Sequence, residues 1–345
     1  MAHYQHNAYE YELCDQLGIT VWTEIGLVNR MSADPTDRLA ISPDLAEVTK
    51  QQLKELIRQN YNHSSIIVWG TSNELFQMSD EIYDIYMELN ALANEEDETR
   101  LITFADSQFW GRFLELPGDV VGDNRYFGWY KDAGLVGKFG EWLDLYHTEK
   151  ETRLVCVFEY GGGAAVTQHK DNIDWENEID PWGERHFENY QCAMHKKIWA
   201  QFAARPYLWG KYIWCMFDFA SDGREEADTY GINDKGLARR DRMPKDAYYF
   251  YRSVWNEEPM LHLTDSRFNP RQHKVPLVKA YSNAEKVELF VNGASVGTAK
   301  ADPQYPTVFV WKNVNITENA ENEIVVSAIL LDGTVLSDRT VWVGC

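Results

Sequence analysis

Short apolar runs rich in β-branched and aromatic residues recur along most of the chain, separated by stretches in which apolar residues return every three or four positions. The runs are ITVWTE (19–24), SIIVWGTSNE (65–74), LITFAD (101–106), DVVGDNRY (119–126), LVCVFEYG (154–161) and YIWCMFDF (212–219). Near-continuous apolar character marks strands buried on both faces, as in a parallel sheet. Between the first two runs, SPDLAEVTKQQLKELIRQNYNH opens on Ser42 and Pro43, an N-cap and first-turn pair, and carries Leu53, Leu56 and Ile57 on one helical face. SDEIYDIYMELNAL repeats the pattern with Ile82, Ile85, Tyr86 and Leu89, and Phe139, Trp142, Leu143 and Tyr146 predict a further helix. Alternating strand and helix implies a parallel α/β architecture, either an open doubly wound sheet or a (β/α)8 TIM barrel.

The strand ends decide between these. Glu24, Glu74, Asp106, Tyr126, Glu159 and Asp218 place a polar or aromatic group at the end of nearly every run. An open sheet concentrates its ligands at one switch point, whereas a barrel collects them around its mouth. No glycine-rich nucleotide or dinucleotide fingerprint follows any strand. From about Pro259 the period changes to two, with Asn292-Gly293 and Asp332-Gly333 as hairpin turn pairs. The expected organisation is a catalytic barrel over residues 1–258 and an immunoglobulin-like β-sandwich over 259–345. Only strands 3 to 8 of such a barrel are accounted for, so the fold expected is an incomplete TIM barrel, lacking its first two strands, followed by an all-β sandwich.

Charge and composition narrow the partners. In 345 residues the formal net charge is -21, which repels phosphate backbones and anionic lipid surfaces and argues against nucleic-acid or membrane partners. The 13 tryptophans suit packing of helices on strands and also stacking on sugar faces. Five scattered cysteines without a C-x-x-C pair give neither a zinc site nor a disulfide framework. No run is apolar enough to span a membrane, and the first residues do not read as a signal peptide. The chain as given reads as soluble; a cytoplasmic, periplasmic or secreted location depends on what precedes Met1.

Glu74 and Glu159 stand out because each ends a buried strand, with two further strands between them. In a barrel of eight strands that spacing brings both side chains to one mouth. Two facing carboxylates are what a retaining glycosidase requires, one as nucleophile and one as acid/base. Strand-end glutamates are also common where a strand simply reaches water.

The segments AHYQHNAYEYELCDQLGITVWTEI, NHSSIIVWGTSNE, NRYFGWY, FEYG and YIWCMFDFASD occur in an order that resembles the catalytic barrel of glycoside hydrolase family 2. The resemblance implies a retaining exo-β-glycosidase with Glu74 as acid/base and Glu159 as nucleophile. It further implies that Asn73 binds the sugar 2-hydroxyl, that Tyr126 hydrogen-bonds the nucleophile, that Trp214 floors the sugar site and that His3 closes it. Asp218 and Glu24 are expected to orient their neighbours. No cofactor or metal is implied, and the spacing of His169 and His186 supports none. Because family members carry further domains and two more strands ahead of this region, the isolated chain is expected to be inactive or weakly active unless another copy in a homo-oligomer, or the missing N-terminal domains, fill the gap.

The β-linked substrate is expected to be a galactoside, since GINDKGLARRDRMPKDAYYFYRSVW and the tail VKAYSNAEKVELFVNG resemble the β-galactosidase-like members. The alternative is a β-glucuronidase, because Tyr130, Asn233 and Lys235 match positions that grip a uronate carboxylate in that subgroup. Lys235 has a competing structural reading, as a loop cap or a partner of Asp234 or Asp241. A second alternative class is a non-catalytic carbohydrate-binding fragment. The long polar stretch HKDNIDWENEIDPWGERH is expected to wall the entrance, with Trp175 and Trp182 either binding the leaving-group sugar or anchoring the loop.

Overall fold

The computed structural model describes residues 1–28, 41–75, 79–107, 111–150, 153–174 and 179–345. Two compact units emerge, the first made of Met1–Arg125, Glu141–Glu159 and Pro206–Tyr212, the second of Tyr126–Gly140, Tyr160–Arg205 and Ile213–Cys345.

The first unit is built on a six-stranded sheet whose strands follow chain order: β1 (Val21–Glu24), β2 (Ile66–Asn73), β3 (Leu101–Asp106), β4 (Val120–Asn124), β5 (Leu154–Tyr160) and β6 (Gly210–Ile213). Strands β1 to β5 pair in parallel. The connecting helices include α1 (Ala8–Leu17), α2 (Pro43–Asn60), α3 (Asp80–Glu96) and α4 (Phe139–Leu145). Ser42 caps α2 by accepting from Leu45 N–H, and Ser79 caps α3 by accepting from Ile82 N–H. The apolar faces of these helices bury Leu53, Leu56, Ile57, Ile82, Ile85, Tyr86 and Leu89 in one core with Ile66, Ile102 and Phe104 of the sheet.

The other face of the sheet curls on itself. In a flat sheet β1 and β5 would stand roughly 19 Å apart, four spacings of about 4.8 Å. Instead the rings of Trp22 (β1) and Phe158 (β5) lie 4.3 Å apart between centroids, and Trp22 meets Tyr212 (β6) at 5.8 Å. Gly122 of β4 leaves the room: a Cβ there would sit 2.4 Å from the Phe158 ring. The sheet is therefore an incomplete barrel of the TIM type, with an aromatic interior.

The second unit contains α5 (Glu188–Ala203), α6 (Asp246–Trp255) and a short antiparallel ribbon of β7 (Phe219–Ala220) and β8 (Ile232–Asn233). Two antiparallel sheets follow, formed from β9 (Leu261–Leu263), β10 (Lys274–Ser282), β11 (Lys286–Val291), β12 (Ala294–Lys300), β13 (Val308–Asn315), β14 (Glu321–Ile329) and β15 (Val335–Val343). Their orders are β13-β10-β9 and β12-β11-β14-β15. Val278, Val287, Leu289, Phe309, Ile324, Val326 and Trp342 form their shared core, giving the expected sandwich. The Asn292-Gly293 turn has both residues at positive φ, 51° and 77°, as a tight hairpin demands.

The run YIWCMFDF departs from the strand predicted for it. Strand β6 stops at Ile213, because from Cys215 onward the backbone hydrogen-bonds to the 235–238 segment: Cys215 N–H donates to Lys235, Leu237 to Cys215 and Ala238 to Met216. A local run cannot show which distant backbone will take its hydrogen bonds. Among the described residues no helix is long and apolar enough to cross a membrane.

Candidate active site

Strand β2 delivers Asn73 as its last residue and Glu74 just beyond it. At Glu74 the backbone turns to φ 51°, a left-handed conformation that a glutamate adopts only under constraint, while its N–H donates to Ala105 O of β3 at 2.9 Å. The turn aims the carboxylate at Asn124, the end of β4. Asn124 Nδ2 donates both to Asn73 Oδ1 (2.9 Å) and to Glu74 Oε1 (3.1 Å). Burial raises the Glu74 carboxyl above its ordinary value, against the opposing effects of the Asn124 hydrogen bond and of His3.

Glu159 lies near the end of β5 and is buried. His3 joins it to β1: one imidazole nitrogen is 2.9 Å from Glu24 Oε1 and the other 3.8 Å from Glu159 Oε1. Burial works against charge on this imidazole, but the hydrogen bond to Glu24 and the charges of Glu24, Glu159 and Glu74 outweigh it and raise the histidine above its ordinary value. The first unit thus brings together His3, Asn73, Glu74 and Glu159, with Glu24 hydrogen-bonded to His3. Both glutamates act electrostatically on one imidazole.

Behind Asn73 and Asn124, on the helix side of the sheet, Asp106 and Asp123 are cross-strand partners in the parallel β3–β4 pair. Asp123 is buried, neither of its oxygens has a hydrogen-bond partner among the described residues, and burial holds its carboxyl well above the usual carboxylate range, with Asp106 and Glu74 adding to the rise and Arg125 opposing it.

The remaining predicted residues belong to the second unit. Tyr126 and Tyr130 meet edge to face at 5.2 Å, and Tyr130 sits at φ 34°. The Lys235 ammonium lies over the Tyr130 ring, 5.0 Å from its centroid, and the side chain is 2 % exposed. Asn233 accepts from Lys235 N–H through Oδ1 at 3.2 Å and is also buried. Trp214 is half-buried, edge to face with Phe219 at 5.7 Å.

Neither carboxylate considered for Lys235 pairs with it. Asp234 is engaged by His186 at 2.8 Å and Asp241 by Arg239 at 3.1 Å; Lys235 contributes only a longer-range pull on Asp234. Among the described residues no carboxylate oxygen stands within ion-pair distance of the Lys235 ammonium. Asp218 instead anchors Lys245, whose ammonium also donates to Ala164 O and Asp234 O. His169 pairs with Glu188 at 3.0 Å, and among the described residues no cluster of three or more His, Cys, Asp or Glu could hold a metal ion. Trp175 lies outside the described residues; Trp182 is 69 % exposed.

A family model described as "Glycosyl hydrolases family 2, TIM barrel domain" matches residues 1–258. The chain belongs to glycoside hydrolase family 2. A model of a domain of unknown function matches residues 273–318. A β-glucuronidase of Bacteroides fragilis is 40% identical over 327 residues, covering 94% of this chain and 45% of its own length. The FMN-binding β-glucuronidase of Faecalibacterium prausnitzii L2-6 superposes with a TM-score of 0.87 at 32% identity, over 100% of this chain and 50% of that one. A Bacteroides fragilis protein provisionally named a β-galactosidase does so at 0.86 and 29%, over 100% and 49%. The family 2 chain therefore spans about half the length of the relatives it matches.

Three features of this family 2 chain escaped sequence reasoning. Asn124 precedes the NRYFGWY tyrosines and could have been found as an amide at a strand end. The Asp106–Asp123 pairing follows from strand register, which the sequence does not display. Lys245, in RMPKDAYY, carries no local signal of its buried role.

Proposed function

We propose that this chain supplies the catalytic part of a retaining β-glucuronidase. The observation that carries the choice of sugar is Lys235, a residue only 2 % exposed whose ammonium has no carboxylate partner among the described residues. Burying an unpaired charge is costly, so such a group is matched to a charge brought by something else. A glucuronide carboxylate is that charge; a galactoside offers only a neutral hydroxymethyl group. Asn233, beside Lys235, is the second donor for the carboxylate, and Tyr130 forms the wall behind the ammonium. The names of the similar β-glucuronidases support the same choice. The galactoside expected from the GINDKG segment gives way to it.

Glu159 is the nucleophile and Glu74 the acid/base. Glu159 attacks the anomeric carbon while Glu74 transfers its proton to the departing glycosidic oxygen, leaving a glycosyl ester and a neutral aglycone. Glu74 then takes a proton from water as that water attacks the ester, which releases glucuronate and restores both carboxyl states. The environments fit this division of roles: burial raises the Glu74 carboxyl and so favours its acid form, and His3, when cationic, stabilises charge on Glu159. Asn73, its carbonyl occupied by Asn124, presents its amide NH2 to the 2-hydroxyl.

The test compares p-nitrophenyl β-D-glucuronide with the matching β-D-galactoside. A glucuronide preference of at least about 100-fold in kcat/KM is expected from one charge-assisted contact and one further hydrogen bond. Equal rates, or a galactoside preference, would reject the uronate assignment and restore the galactosidase reading.

A further inference from the structure

Trp182 is exposed yet firmly held. The Asp180-Pro181-Trp182-Gly183 segment closes as a turn, with Gly183 N–H donating to Asp180 O at 3.1 Å and proline at the position where a turn favours it. Ala227 N–H donates to Gly183 O at 2.9 Å, and His186 bridges Asp180 O (3.2 Å) to the Asp234 carboxylate (2.8 Å). The indole stacks on Tyr130 at 4.9 Å and 29°, and the Arg224 guanidinium lies 5.6 Å from its ring. Arg224 is fixed in turn by its ion pair with Glu226. The residue nevertheless remains 69 % exposed.

Stability alone does not call for this arrangement. A tryptophan recruited to pack a loop buries its ring, because that burial is its stabilising contribution. Here the turn, the His186 bridge and the Arg224–Glu226 pair immobilise a ring that stays exposed, so the ordering cost of binding something on it is already met. The ladder of contacts also has a direction: Lys235 rests on Tyr130, and Tyr130 rests against Trp182. A ligand whose carboxylate meets Lys235 extends along that ladder.

We propose that Trp182 is the stacking platform of a second saccharide subsite, taking the apolar face of the pyranose joined to the uronate. This rests on the glucuronide reading of Lys235. A pyranose offers both a flat C–H face for the indole and hydroxyl groups for the polar rim that Arg224 and the Tyr130 hydroxyl provide. A planar aromatic aglycone would use the indole and leave the rim unpaired.

The test is titration of the whole chain carrying Glu159→Gln, so that the ligands are not turned over, with methyl β-D-glucuronide, phenyl β-D-glucuronide and a disaccharide carrying β-glucuronate at its non-reducing end, with Trp182 intact and as Trp182→Ala and Trp182→Phe. The disaccharide is expected to bind about tenfold more tightly than the methyl glucuronide, and Trp182→Ala to abolish that gain while leaving the methyl glucuronide within about twofold. Trp182→Phe retains part of the gain. The proposal is overturned if Trp182→Ala weakens all three ligands alike, if it weakens none, or if phenyl glucuronide shows the same Trp182-dependent gain as the disaccharide. Disaccharide binding that needs Trp182 but survives replacement of its glucuronate by glucose would instead reject the uronate reading and keep the platform.

Discussion

Replacing Lys235 by methionine separates a charge made for a ligand from one made for the fold. Methionine keeps the length and apolar stem of the side chain and removes only the ammonium. In the proposed glucuronide complex that ammonium would make a charge-assisted hydrogen bond worth about 1.5–3 kcal/mol, so Lys235→Met is expected to lower kcat/KM for p-nitrophenyl β-D-glucuronide by about 10- to 150-fold. The neutral galactoside should stay within about twofold of its wild-type value, because it offers the ammonium no opposite charge. Stability should move little. The contact with the Tyr130 ring, worth about 0.5–2 kcal/mol, is lost, but so is the cost of keeping an ammonium in a side chain that is 2 % exposed. Calorimetry should therefore find Tm within about 4 °C of wild type. A parallel fall of both substrates, or a Tm drop far beyond that range, would show that Lys235 holds its loop together, and the reasoning would be wrong.

Glu74→Gln should lower hydrolysis of alkyl glucuronides by about 100- to 10,000-fold while sparing substrates whose leaving groups need no protonation; equal losses across a leaving-group series would remove Glu74 from the acid role. Asn124→Ala deletes a donor that favours the charged form of Glu74, so the alkaline limb of the pH–rate profile should move to higher pH, and a shift to lower pH would contradict the geometry. Asp123→Asn should stabilise the protein at neutral pH. The folded-state pKa of Asp123 is raised, so its contribution is complete below the unfolded value of about 3.9 and is lost as pH rises toward the folded one; melting curves of the two proteins should coincide near pH 3.5 and separate above pH 4, and a variant less stable at every pH would refute a neutral Asp123.

How far these sites could be read beforehand follows from how local their causes are. The runs that became β1 to β5 are self-contained patterns of burial, and Glu74 and Glu159 lie at the ends of two of them. The sandwich strands alternate, and their Asn-Gly turn carries its own geometry. Helix α5 gave no comparable signal, because Glu188, Tyr190, Gln191, Cys192, Met194, His195, Ile198 and Phe202 are all buried and leave no apolar stripe against a polar face. The end of β6 at Ile213 depends on the 235–238 backbone, and the Asn124 bond to Glu74 depends on the register of β2, β3 and β4. Lys235 was visible as a residue. That it stands apart from Asp234 and Asp241 became visible only when His186 and Arg239 were found to engage them.

The proposed function stands on attack by Glu159 at the anomeric carbon of a glucuronide. Incubation with cyclophellitol-6-carboxylate aziridine, an electrophile shaped as a uronate, followed by intact-mass measurement and peptide mapping, tests it directly. One adduct per chain is expected, on the FEYG peptide at Glu159, absent from Glu159→Gln and slowed by Lys235→Met. An adduct on Glu74, or none at reagent concentrations where glucuronate binding is measured, would contradict it.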